Sequence, residues 1–94
     1  MANRKLFTVV FEYAGGTYIS QVSGNSPAAA LPIWVSNIRN EELATWGISR
    51  GELNAITETD APVPITGCLG VWCSTGSANR GLVLINIVAT DPSS

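Results

Sequence analysis

From Leu6 to Tyr13 the chain reads Leu-Phe-Thr-Val-Val-Phe-Glu-Tyr, and large apolar side chains fall on every second position. Phe7, Val9, Phe11 and Tyr13 share one face of an extended segment, the period of a strand with one side buried. Ala14-Gly15-Gly16 follows, and its glycines tolerate the positive φ that a tight hairpin turn demands. Thr17 to Val22 returns as a second strand. Beyond Ser23 the period changes. Leu31, Trp34, Val35 and Ile38 recur at the spacing of one helical stripe, and Ser26 with Pro27 behind it makes a helix start. Serine caps an orphan N–H, and proline in the first turn has none to waste. Pro32 interrupts this stretch; either the helix begins there or it is kinked there.

Asn40 to Trp46 continues as helix, with acids suited to a first turn and Gly47 suited to a C-terminal cap. Ser49 and Glu52 have capping-box spacing ahead of Leu53 and Ile56. Thr57 to Pro64 reads as a loop, Ile65 to Ser74 as a third strand, Thr75 to Gly81 as a connection, and Leu82 to Ala89 as a fourth strand. Asp91 to Ser94 is a tail. The pattern predicts one α+β domain over residues 1–94, with its core within about 5–90. Its order is β-β-α-β-β: an antiparallel four-stranded sheet with helix packed on one face.

The last of these segments changes the picture most. Val83, Ile85, Ile87 and Ala89 line one side, while Leu82, Leu84 and Val88 line the other, interrupted by Asn86. A strand that is apolar on both sides sits between two layers. The helical stripe supplies one layer and little chain remains for the other. Leu82, Leu84 and Val88 are therefore the expected interface with a second copy, in a homo-dimer or higher homo-oligomer.

Composition agrees. Apolar residues make up 46% of the chain and charged residues only 13%, about half the usual charged share, so a small domain has few charges with which to cover its surface. Net charge is −2 and the five basic residues are scattered, which argues against nucleic acid as a partner of this chain. No segment approaches the ~20 apolar residues of a bilayer span, and no signal peptide is legible, so a cytoplasmic location is expected.

Candidate chemistry is sparse. The chain has no histidine, the commonest general base and metal ligand. Cys68 and Cys73, with four residues between them, would point to opposite faces of a strand about 16 Å apart. That is too far for a disulfide, unless the chain folds back at Gly70, and the spacing is not that of a zinc site. They read as small buried apolar groups, with Gly67 and Gly70 marking a bulge or close backbone approach. Glu58 and Asp60 could share a cation, but a solvated loop explains them more simply. No catalytic constellation, metal site or cofactor motif is present, so the expectation is a protein that is not an enzyme and takes no cofactor. Of the three tryptophans, Trp34 belongs to the helical stripe. Trp46 and Trp72 are the candidates for a ligand or partner contact, because tryptophan is enriched at binding hot spots.

Phe7 to Val22 followed by Gly24-Asn-Ser-Pro-Ala-Ala-Ala-Leu31 resembles the opening of HicB-type antitoxin domains: a strand ending near an acid, a glycine-rich hairpin, a strand beginning near a tyrosine, and a helix opening on a small capping residue. Ala28 and Ala29 stand where that family carries acids. The resemblance implies a small domain that dimerises and binds a protein partner, with an antitoxin-like role. The functional expectation is a non-enzymatic, self-associating domain acting through protein–protein binding. The alternative is a small-ligand binding domain with a tryptophan-lined pocket.

Overall fold

The computed structural model describes residues 4–59 and 61–90. Two strands, β1 (Lys5–Tyr13) and β2 (Gly16–Gly24), are followed by three helices, α1 (Pro27–Asn37), α2 (Asn40–Trp46) and α3 (Arg50–Thr59). Three strands complete the chain: β3 (Val63–Pro64), β4 (Val71–Ala78) and β5 (Gly81–Thr90). All pairings are antiparallel, in the order β2-β1-β5-β4-β3. The α+β class and antiparallel sheet are those expected, but the sheet has five strands, not four, and three helices cover one face.

The first hairpin turns on Ala14 and Gly15, with φ of 51° and 82°. Positive φ at both central residues is the type I′ geometry that matches strand twist. Gly16 begins the returning strand, where a Cβ would collide with the hydroxyl of Tyr18. The Ser26 side chain accepts from Ala29 N–H at 3.1 Å, and the helix then runs through Pro32 without a break. Pro32 is exposed on the outer side of α1, as is Ala28, so the carbonyl that proline leaves without its usual donor faces water. Ser49 and Glu52 cap α3 reciprocally, each accepting the other's backbone N–H at 3.0 Å.

Two boundaries differ from the sequence reading. Residues 57–59 belong to α3 rather than to a loop, and Val63–Pro64 form the short fifth strand beside Trp72 and Cys73. The stretch from Ile65 is a compact loop, and the strand starts only at Val71 and runs on to Ala78. Gly67 and Gly70, with φ of 87° and 71°, leave the pleat, and Ile65 N–H reaches Val71 O at 3.0 Å to close the loop. The expected tail at 91–94 lies outside the described residues.

The core is built where the sequence placed it. Phe7, Val9, Phe11 and Tyr13 from β1 and Val83, Ile85 and Ile87 from β5 are buried against Leu31, Trp34, Val35 and Ile38, with Leu43, Trp46, Leu53 and Ile56 completing the helical side. Gly76 admits α3 closely: a Cβ there would lie 2.7 Å from Ile56 Cγ1. One polar group is out of place. Ser74 is buried on this side, and its hydroxyl has no hydrogen-bond partner. An unmet buried hydroxyl costs about 1–3 kcal/mol. Ser74→Ala should therefore raise stability by about 1 kcal/mol, seen as a higher urea midpoint with an unchanged slope.

Candidate interaction surface

Strand register decides which side chains meet on the sheet face opposite the helices. One row runs across all five strands: Ile19, Val10, Asn86, Cys73 and Val63. The row on one side of it joins Thr17, Glu12, Leu84 and Thr75, and the row on the other joins Gln21, Thr8, Val88 and Val71. Leu82 stands beyond, opposite Ser77. Leu82, Leu84 and Val88 are thus on one face, and no described helix packs over it. Leu82 is 60% exposed, and Ile19 and Val63 are 68% and 62% exposed on the same face. Glu12 is the sole charged residue among the described strand positions there.

This face is not uniformly apolar. Thr8 and Thr90 share a hydroxyl hydrogen bond, and Gln21 donates to Thr8 at 3.2 Å. Asn86 sits at the centre of the longest row, half-buried between Val10 and Cys73. Ile19 and Val63 were not singled out from the sequence. Each lies in a segment with weak periodicity, and only the strand order brings them beside Val10 and Cys73.

The tryptophan candidates are on the opposite side. Trp46 is only 7% exposed; its indole lies 5.1 Å from the ring of Phe11 and 4.7 Å from that of Tyr18. Trp72 is half-buried and meets Phe7 edge-on at 6.1 Å. Trp34, fully in the core, donates its indole N–H to Ser20 at 3.0 Å. A groove of about 450 Å³ lies between Thr17–Val22 of β2 and the Asn37, Ile38, Glu42 and Trp46 side of α1 and α2. Trp46 contributes to it only the part of the indole that Phe11 and Tyr18 leave free.

Cys68 and Cys73 are both free. Cys68 is exposed in the 65–70 loop rather than buried, and Cys73 is half-buried on the helix-free face. The early start assumed for the strand put them on one element; the glycine turns separate them. Leu69, at the tip of this loop, is fully exposed and carried no signal in the sequence beyond its flanking glycines. Glu58 is exposed near the end of α3, and Asp60 lies outside the described residues. Among the described residues no group of histidine, cysteine and acid side chains is placed to hold a metal ion, and no helix is long and apolar enough to cross a membrane. Comparison with protein-family models, with curated proteins and with solved structures found no match to this chain.

Proposed function

We propose that this protein is a non-enzymatic domain that works by associating with a second copy of itself and by binding protein, and that the helix-free sheet face is where the two copies meet. One observation carries the reading: Leu82, Leu84 and Val88 lie on a face with one charged strand residue, and no described element covers it. At strand spacings near 4.8 Å and a rise near 3.3 Å per residue, such a sheet projects on the order of 600 Å². That is of the order of the ~800 Å² per partner that a stable interface uses. Asn86, flanked by apolar neighbours, would fix the register of the two faces, as a polar residue does in an otherwise apolar seam.

Leu84→Lys tests the proposal. Leu84 is half-buried between Glu12 and Thr75 on the face, and its replacement should leave the helix-side core intact while placing a desolvated charge in the contact. The expected result is a halved mass in sedimentation at micromolar concentration, with a cooperative melt retained. A wild-type chain that is monomeric under those conditions sinks the reading.

An antitoxin-like role, which the HicB-type resemblance of the opening residues implies, belongs to the same proposal. The groove beside Trp46 supports a second reading, a small-ligand site. It is the weaker one, because the stacking groups that would hold an aromatic ligand are engaged with Phe11 and Tyr18.

A further inference from the structure

The hairpin geometry fixes which backbone groups of β2 point away from the sheet. Tyr13 and Gly16 close a two-residue turn, and the pair that closes such a turn exchanges both of its hydrogen bonds. Counting in twos from there, Tyr18, Ser20 and Val22 bond to β1, whereas Thr17, Ile19 and Gln21 aim their N–H and C=O outward. The rest of the sheet agrees with this parity. Ala89 N–H bonds to Gly70 O at 2.7 Å, which turns the odd residues of β5 toward β4 and its even residues toward β1. β2 is the last strand on its side. Among the described residues no backbone group pairs with the outward groups of Thr17, Ile19 or Gln21. Farther along, Arg4 donates to Ser23 O at 2.9 Å.

An open edge is ordinarily blunted by charge, proline, a bulge or a short strand. The two sides of this sheet differ sharply. On the far side β3, two residues long, with Pro64 inside it and Pro62 just before it, covers β4 at Trp72 and Cys73, and α3 packs beside the rest of β4 at Gly76. β2 is nine residues of Gly-Thr-Tyr-Ile-Ser-Gln-Val-Ser-Gly, with neither charge nor proline, and its register with β1 is unbroken. The charges around it are polarised along the strand. Arg4 and Lys5 stand at the Gly24 end, and Glu12 stands beside Thr17 at the other. Turned antiparallel, one such edge brings its basic end to the acidic end of another, and its uncharged middle opposes no like charge.

We propose that β2 pairs antiparallel with β2 of a second copy, the incoming strand entering beside the groove that α1 and α2 leave along this edge. This deepens the self-association reading, on which it rests in part, by adding a second surface. Copies joined edge to edge form a continuous sheet, and two such sheets stacked on their helix-free faces close as a four-copy assembly with no unguarded β2 edge.

Gln21→Pro is the discriminating variant. It removes an outward N–H, and with it the side-chain bond to Thr8, while sparing the backbone bonds between β1 and β2, which come from the even-numbered residues of β2. Mass by light scattering or sedimentation should fall by half, with the circular dichroism and melt of a folded chain. If this variant fails to fold, the full chain made by chemical synthesis with an N-methyl group at Ile19 removes the neighbouring outward donor and should give the same halving. Arg4→Glu should weaken the edge contact roughly three- to tenfold, and adding Glu12→Arg should restore it. A folded Gln21→Pro or N-methyl-Ile19 chain that keeps the wild-type mass overturns the edge proposal. Leu84→Lys reads the face independently: if it keeps the wild-type mass while Gln21→Pro halves it, the edge stands and the face reading falls. A monomeric wild type overturns both.

Discussion

Phe11→Ala should lower the unfolding free energy by about 4 kcal/mol, in the upper part of the range for truncating a buried aromatic. Phe11 is fully buried and stands at the middle of the aromatic cluster. Its ring lies 5.1 Å from Trp46, 5.6 Å from Trp34, 6.0 Å from Tyr18 and 6.2 Å from Tyr13. Each such pair adds about 0.5–1.5 kcal/mol beyond the area it buries. The rings around it belong to β1, β2, α1 and α2, so no single element can shift to fill the void. A domain of this size has on the order of 5–15 kcal/mol in all, which leaves the variant close to unfolding at room temperature. Urea titration followed by tryptophan fluorescence, at matched protein concentration because association adds to apparent stability, measures the loss. A loss below about 2 kcal/mol would show that the cluster is not what holds β2 and α2 to the sheet.

Arg50→Met should cost about 2–3 kcal/mol, although Arg50 does not belong to the apolar core. The guanidinium of Arg50 donates to Val35 O, to Ile38 O at 2.7 Å and to Asn40 Oδ1 at 3.0 Å. It thereby serves Ile38 O, just past the last turn of α1, and shares Val35 O with the capping N–H of Ile38, which reaches it at 3.3 Å; this ties the start of α3 to the link between α1 and α2. Hydrogen bonds to a charged donor contribute about 1.5–3 kcal/mol, and methionine keeps the apolar stem while deleting the donors. Arg50→Lys should recover less than half, since one ammonium cannot match the fork that reaches two carbonyls. Full recovery by lysine would mean that charge, not geometry, carries the contact.

The legible parts of this fold are those where local signal and tertiary demand coincide. β1 keeps its large side chains at Phe7, Val9, Phe11 and Tyr13, and Asn86 interrupts only one of the two apolar sides of β5, so the uninterrupted rows, Val83 to Ile87 included, were assignable to a buried face from spacing. Ser26 with Pro27, and Ser49 with Glu52, marked helix starts because their capping is a local matter. The 65–70 loop was misread because Ile65, Cys68, Leu69 and Val71 have strand composition; left-handed glycine at positions 67 and 70 is a choice made by the surrounding structure. β3 was missed because two residues and a proline have no period to detect. Leu82, Leu84 and Val88 were identifiable as one face by parity. Their neighbours Ile19 and Val63, and the status of β2 as an edge, depend on strand order, which no single segment encodes.

Strand order has a further consequence, for the sequence of events by which the chain becomes ordered. The sheet's middle is the union of β1 and β5, segments separated by nearly the whole described length, and their pairing closes a long loop whose entropy must be met before the contact is made. Until β5 arrives, Val9 and Phe11 have helices above them but no neighbour on one side. The hairpin and α1 are local and can form early, yet the middle of the sheet has to wait for β5, which follows the other described elements along the chain. During synthesis the greasy flank of β1 stays unsheltered until β5 has been made.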